Sequence, residues 1–271
     1  MHSDLPPVAL LITAFNRQGL LERALVSLEP ELSLLDIVLI DDGSNPPINI
    51  DRFSHYPITL IRLKKNQGAM AASNEGLKHI YSRGYEYMAR LDSDDVAINN
   101  RFSKQLSFLK SNPDIGLVAS HFYMVDPNGT LISHERPPAE DSKIRSGLFM
   151  GNMLHHPTWM MRTDVAKKAG FYSEAYTAGG DTEFCWRIIQ ITKAANIPEP
   201  LIKYEVGSNE SISRSKRFIQ LFNTMKLKVK YFELRNPYAY YGIVISILDI
   251  LSILRYLRPI KRFLMHHFYK K

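Results

Sequence analysis

Three carboxylates, Asp92, Asp94 and Asp95, fall within four residues at the end of the apolar stretch Tyr87-Met88-Ala89, which runs on to Leu91. Crowding like charges at a buried strand end is costly unless positive charge sits beside them. A divalent cation holding a diphosphate answers that demand. Hard oxygen ligands suit Mg²⁺ or Mn²⁺, and such sites take one or two protein carboxylates with substrate oxygens completing the shell. A second reading stays open. Aspartate is common at helix starts, and a solvated turn with capping aspartates ahead of Asn99-Asn100-Arg101 fits the same letters; of the three acids, Asp95 is the one expected to cap that helix. Two further acidic positions invite the same question. Asp41-Asp42 ends the apolar run DIVLI, and Asp181 opens DTEFCWRIIQIT. Asp181 reads as a helix N-cap, with Glu183 favoured in the first turn by the helix dipole. A carboxylate held at a helix start and open to solvent is equally well placed for catalysis.

The elements that must position these groups follow from the hydrophobic pattern. Residues 8–13 (VALLIT), 36–40 (DIVLI), 58–63 (ITLIRL) and 86–91 are short continuous apolar runs, the pattern of strands buried on both faces. LLERALVSL and AMAASNEGLKHI carry helical spacing between them, so an α/β fold with a doubly wound, mostly parallel sheet is expected. Polar groups recur just past each strand: Thr13 to Asn16, Asp41-Asp42, Asn66 and Asp92-Asp94. In an open parallel sheet those ends line one ligand crevice. Singly, each has a plain alternative. Asp41-Asp42-Gly43-Ser44 also fits an Asx turn with Gly43 at positive φ, and Asn66-Gln67-Gly68 a cap and turn. No G-x-G-x-x-G follows the first strand and no G-x-x-x-x-G-K-S/T occurs, which disfavours NAD and P-loop chemistry. Downstream, FSKQLSFL continues a helix that Asn112-Pro113 ends, IGLVAS is a fifth strand, and Asp126-Pro127-Asn128-Gly129 turns a hairpin. A helix near 141–150 leads to His155-His156 and the strand TWMMR. Adjacent histidines cannot readily share one face of a strand, so a packing or capping role is expected for at least one.

The chain has 271 residues and 45% hydrophobic content, enough for one large domain or two small ones. Its single cysteine, Cys185, is expected in the core, and its solitude fits a reducing compartment. The N-terminus reads as a strand rather than a secretory signal. The net charge of +7 is uneven: residues 1–202 hold 20 basic and 23 acidic residues, residues 203–271 hold 14 and 4. Within that tail, 216–235 has helical spacing, Pro237 interrupts it, and 238–254 is strongly apolar but shorter than the roughly 20 residues of a spanning helix. An apolar stretch flanked by tyrosines and followed by Arg255, Arg258, Lys261, Arg262, Lys270 and Lys271 reads as an interfacial anchor on an anionic membrane through residues 238–271. Nucleic acid fits less well, because Ile, Leu and Val separate the cations. A helix packed on the domain or a partner is the other reading.

The motifs taken together, TAFNR (13–17), VLIDDGS (38–44), NQGAMAASNEGL (66–77), YMARLDSDDVAINNRFSKQ (87–105), HHPTWMMR (155–162), AGFY (169–172) and GGDTEFCWRI (179–188), resemble the family 2 glycosyltransferases of the GT-A fold, in the family's order. Members that build bacterial surface polysaccharides such as O-antigen, capsule or lipooligosaccharide are the most similar group. The resemblance implies a GT-A domain over 1–202 and a helical, basic, membrane-associating region over 203–271. It implies an inverting transfer from a nucleotide-sugar, UDP favoured, to a hydroxyl of a glycan acceptor, lipid-linked in this group, at the inner face of the cytoplasmic membrane. Nucleotide-sugar binding is implied at Thr13, Phe15, Asn16 and Arg17 after the first strand, and at Asp41 and Asp42 after the second. The same role is implied at Asn66, Gly68 and Asn74, and at Arg90, Asp92 and Ser93. Asp94, with Asp92, would hold Mn²⁺ or Mg²⁺, and Asp181 would be the general base. His156, Gly180 and Arg187 would support the acceptor side. The chain departs from the family pattern at Gly180, where the family has Glu, at Ser73, where many members have Arg, and near Gly207, where a histidine is common. Those departures leave room for a catalytically inactive membrane-bound scaffold. A nucleotidyltransferase making a nucleotide-sugar is the other alternative, and it gives Asp181 no clear task.

Overall fold

The computed structural model describes residues 6–206 and 217–251. The expectations for Gly207 and for the basic residues of 252–271 lie outside the described residues. Four strands form as the apolar runs require: β1 (Val8–Ala14), β2 (Leu35–Asp41), β3 (Ile58–Arg62) and β4 (Tyr87–Arg90). They lie parallel in the order β3-β2-β1-β4. Helix α1 (Gln18–Val26) joins β1 to β2, and α2 (Ala69–Arg83) joins β3 to β4. The β2–β3 connection is not an α-helix. It carries Pro46-Pro47 and only a short 3-10 turn, Asp51–Phe53, because consecutive prolines lack the amide donors a helix needs. The strand order reverses across β1 and β4, so the crevice outside their carboxyl ends is the topological switch point.

The second half widens the sheet. After β5 (Val96–Ala97) and α3 (Arg101–Ser111), β6 (Ile115–Val125) and β7 (Leu131–Glu135) form the expected hairpin, turning at Asp126–Gly129. Helix α4 (Asp141–Leu148) leads to β8 (Met160–Arg162), which inserts antiparallel between β4 and β6. Helices α5 (Thr163–Ala169) and α6 (Gly180–Ile189) follow. The long β9 (Lys193–Glu205), which sequence reasoning did not anticipate, pairs parallel with β6 and antiparallel with β5. The boundary expected at 202/203 falls inside this strand. One apolar layer packs each sheet face, one around Leu11, Val38, Met88, Trp159 and Trp186, the other around Leu10, Ile12, Leu39, Phe102 and Met160. Cys185 lies in the first, and burial pushes its thiol up.

Helices α7 (Arg217–Lys230) and α8 (Pro237–Leu251) pack on each other and on the domain. Tyr231 stacks on Trp186 at 5.0 Å, and Leu227, Ala239 and Ile245 are buried. Pro237 opens α8 instead of merely ending α7, since a helix's first position needs no amide donor. A Cβ at Gly242 would lie 2.1 Å from the carbonyl oxygen of Phe149, so glycine permits α8 to sit directly against the end of α4. The outward face of α8 keeps Tyr240, Tyr241, Val244 and Ile247 exposed. No helix among the described residues is long and apolar enough to cross a membrane.

Candidate active site

The β1–β2 register sets Ala14 opposite Asp41, which brings the two strand ends together. Just beyond, Asn16 adopts φ 53°, a left-handed conformation that asparagine tolerates better than most residues. Its amide donates to Ser44 Oγ at 2.9 Å, and its Oδ1 accepts from the Asn45 amide at 2.8 Å. That turn aims Arg17 across the switch point, where its Nη1 meets Asp94 Oδ2 at 2.6 Å. Phe15 stays exposed beside it.

Asp41 and Asp42 are both buried and both engaged by backbone. Asp41 accepts from the Ser44 amide (2.9 Å), three residues on, and the Ile48 amide (3.1 Å), so its carboxylate closes a wider loop than the Asx turn, whose bond reaches two residues on. Asp42 reaches across to the next loop, accepting from the Gln67 amide (2.7 Å), the Gly68 amide (2.9 Å) and Asn66 Nδ2 (3.0 Å). Burial raises the Asp42 carboxyl above the usual range, opposed by those amides. Gly43 has φ 73°, and a Cβ there would fall 2.4 Å from the Lys65 carbonyl carbon; both facts demand glycine. Asp41 and Asp42 therefore fix the loops on which Asn16, Ser44, Asn66 and Gly68 sit.

At the end of β4 the acidic cluster lies over two buried arginines. Arg90 is 2% exposed, with Nη2 at 3.6 Å from Asp92 Oδ1, and its Nε and Nη1 have no hydrogen-bond partner among the described residues. Arg101 is fully buried. It donates from Nε to Gln105 Oε1 (3.0 Å) and from Nη2 to the carbonyls of Arg90 (2.6 Å) and Trp159 (3.2 Å). Burial lowers it to about 9, opposed by the charges of Asp95, Glu31 and Asp92, so it remains a cation at neutral pH. Part of the positive charge that the acids require thus comes from the protein itself. Asp92 and Asp94 remain partly open, with 36% and 26% of their side-chain surfaces exposed, while Ser93 between them is buried. Burial raises Asp92, opposed by Arg90 and reinforced by Asp181; burial and Asp92 raise Asp94.

Asp95 corrects an expectation. It does not cap α3: it is fully buried, accepts from the Glu205 amide at 3.2 Å, and burial holds it well above the usual carboxylate range. Asn99 and Asn100 are both left-handed and precede the helix. The cap is Glu31, whose carboxylate accepts from the Phe102 amide (3.1 Å) and the Ser103 amide (2.7 Å). A capping acid 71 residues away in the chain leaves no local sequence signal.

Asp181 lies in the first turn of α6, after the left-handed Gly179. Burial raises its carboxyl, opposed by hydrogen bonds from Thr182 and its own amide and by the charge of Arg90. Its charge helps raise the Asp92 carboxyl, so the two acids lie within electrostatic reach of each other. A Cβ at Gly180 would fall 2.4 Å from Met70 Sδ; the methionine of α2 fills the space a side chain would take. Arg187 joins α6 to the elements beside it. It chelates Glu183 (2.7–3.1 Å), donates to the Phe171 carbonyl at 2.7 Å and also to the Ala169 carbonyl, tying α6 to the 169–172 loop. Asn74 grips the same loop from the other side, with Oδ1 accepting from the Tyr172 amide (2.8 Å) and Nδ2 donating to the Tyr172 carbonyl (3.0 Å). Its amide is used there and not on an open surface. His156 Nε2 lies 2.8 Å from the Tyr172 hydroxyl, and burial holds the ring neutral. His155 stacks on Phe122 at 4.1 Å and burial lowers it to about 3, so His155 is a packing group.

The described residues contain no cluster of three or more His, Cys, Asp or Glu side chains able to hold a metal by themselves. Two raised, partly open carboxylates, Asp92 and Asp94, form a donor set suited to Mg²⁺ or Mn²⁺ whose other ligands are substrate oxygens and water.

A sheet ordered 3-2-1-4 with acids at its switch point is the arrangement of the GT-A class of glycosyltransferase. S. aureus TarS 1–349, in a structure with UDP-GlcNAc, superposes with a TM-score of 0.67 over 90% of this chain and 72% of that one, at 14% identity. The mannosyltransferase PcManGT from Pyrobaculum calidifontis, in complex with GDP-Man and Mn²⁺, gives 0.63 over 98% and 75%, at 13% identity. The family described as Glycosyl transferase family 2 matches residues 9–170, and the chain belongs to that family. Its relatives include the amylovoran biosynthesis glycosyltransferase AmsE of Erwinia amylovora, 27% identical over 97% of this chain and 98% of AmsE. Another is the uncharacterized glycosyltransferase MJ1057 of Methanocaldococcus jannaschii, 31% identical over 59% of this chain and 55% of that protein. The O-antigen biosynthesis glycosyltransferase WbnJ of Escherichia coli is 35% identical over 34% of this chain and 37% of its own.

Proposed function

We propose that the chain is an inverting, metal-dependent glycosyltransferase that moves a hexosyl or N-acetylhexosaminyl group from a nucleotide-sugar, UDP favoured, to a hydroxyl of a lipid-linked glycan in bacterial surface-polysaccharide synthesis. The observation that carries this reading is the gathering of Asp92 and Asp94 with Arg17 and the buried Arg90 at the switch point, with Asp181 near enough for its charge to act on Asp92. Asp94 and Asp92 would hold Mn²⁺ or Mg²⁺, which supplies counter-charge to the leaving diphosphate. Asp181 takes the proton of the acceptor hydroxyl as that oxygen attacks the anomeric carbon from the face opposite the diphosphate. Its raised carboxyl makes it a stronger base than an exposed aspartate. Asn16, Asn66 and Gly68, on the loops that Asp41 and Asp42 fix, line the nucleotide side, with Thr13 and Phe15 nearby. The relatives AmsE and WbnJ support the polysaccharide context by their named activities.

For the tail, the exposed apolar face of α8 (Tyr240, Tyr241, Val244, Ile247) together with the sequence's basic end supports association with the anionic inner face of the cytoplasmic membrane. The membrane-associating region then begins after β9, with α7 and the inner face of α8 joining it to the catalytic unit. The direct test of the base is Asp181→Asn. Transfer falls by about 10²- to 10⁴-fold while nucleotide binding stays nearly intact; wild-type turnover in that variant contradicts the assignment.

A further inference from the structure

We propose that Arg17 and a divalent cation compete for the carboxylate of Asp94, so that metal is taken up tightly only as the donor's diphosphate draws Arg17 away. The inference rests on the reading of Asp94 as a metal ligand. Its basis is the 2.6 Å contact of Arg17 Nη1 with Asp94 Oδ2, made across the switch point by the residues that follow β1 and β4. Among the described residues, three guanidiniums, those of Arg17, Arg90 and Arg101, act on Asp92. Arg90 and Arg101 lie beneath the cluster, 2% and 0% exposed, and cannot follow a ligand. Arg17 keeps 16% of its side-chain surface open and reaches Asp94 from the crevice.

Its backbone is preorganised. The Arg17 carbonyl accepts from the Leu21 amide at 3.0 Å, and the preceding left-handed Asn16 is pinned by Ser44 and Asn45. The guanidinium is therefore delivered to one place, while its long side chain can swing from a carboxylate to a phosphate. A planar fork of donors binds both groups well. Without a donor, Arg17 neutralises Asp94 and opposes a second cation there. With a diphosphate present, the phosphates offer Arg17 a stronger partner and free the Asp94 oxygen, so metal and diphosphate enter together.

The experiment titrates Mn²⁺ into the full chain by EPR, with and without UDP, for wild type, Arg17→Gln, Arg17→Lys and Asp94→Asn. Without UDP, Arg17→Gln binds Mn²⁺ about fivefold tighter than wild type, the factor that removal of a partly exposed ion pair sets. By linkage, the enhancement of Mn²⁺ affinity by UDP shrinks in that variant by the same factor. Arg17→Lys keeps a competing charge and stays near wild type without UDP. Equal Mn²⁺ affinities of wild type and a folded Arg17→Gln, or an unchanged UDP enhancement, overturn the competition while leaving the metal site standing. Should Arg17→Gln fail to fold, an Arg17→Lys protein that binds Mn²⁺ much tighter than wild type overturns it. Mn²⁺ binding that survives Asp94→Asn, or is absent from wild type even with UDP, overturns the metal reading and the competition with it.

Discussion

Arg101 lies behind the acidic cluster without touching a carboxylate within hydrogen-bonding distance, and its replacement by methionine measures what that placement contributes. The substitution keeps much of the volume and removes the charge, leaving Asp95 fully buried with Oδ2 already lacking a hydrogen-bond partner among the described residues. Breaking a directly bonded buried pair costs about 3–5 kcal/mol; acting through space, Arg101 should sit at the lower end, about 3 kcal/mol. For a chain of this size that lowers the melting temperature by roughly 6–12 °C. The pH dependence carries the diagnosis. Burial raises the folded Asp95 carboxyl well above its ordinary value, so between those two values the folded state binds more protons than the unfolded one. Stability from this group is fully present below the ordinary value of 3.8 and is lost as pH rises toward the folded one. Removing Arg101 pushes the folded value higher still and extends that loss upward. Urea denaturation at pH 5 and pH 8 should therefore show a larger deficit for Arg101→Met at pH 8, and Asp95→Asn in the same background should recover most of it. A deficit independent of pH, with no recovery in the double variant, refutes the electrostatic reasoning.

Two further outcomes follow from the packing. Glu31→Ala removes the cap of α3 and should cost about 0.5–2 kcal/mol in denaturant unfolding, with Glu31→Asp restoring little because the shorter carboxylate must still span two elements. Gly242→Val drives a side chain into the Phe149 carbonyl, so limited proteolysis should cut between β9 and α8 much faster than in wild type.

The four parallel strands and the crevice at their ends were legible because apolar runs and strand-end polar groups are local patterns, and the structure keeps each of them. What was not legible is the long-range bonding. Nothing near Asp95 announces that β9 brings the Glu205 amide to it, and nothing near Asn100 announces that Glu31 caps the helix. Arg101 looked like the first residue of an amphipathic helix; only the fold turns it inward beneath the acids. β9 itself was hidden by Pro198 and Pro200, which weaken a strand pattern yet sit where the ladder with β6 is irregular. Arg187 and Asn74 were matched to functional motifs, and the structure shows what they hold: both fasten the Tyr172 loop. Gly180 had no local explanation until Met70 was seen occupying its side-chain space.

The proposed function is transfer of a sugar with inversion from a nucleotide-sugar. Incubating the full chain with Mn²⁺ and a panel of UDP-, GDP- and dTDP-sugars, and reading the anomeric configuration of the product by NMR, tests it most directly. Turnover of a UDP-sugar with the anomeric configuration inverted, lost in Asp181→Asn, is the expected result; a retained configuration, or no turnover of any donor, contradicts the proposed function.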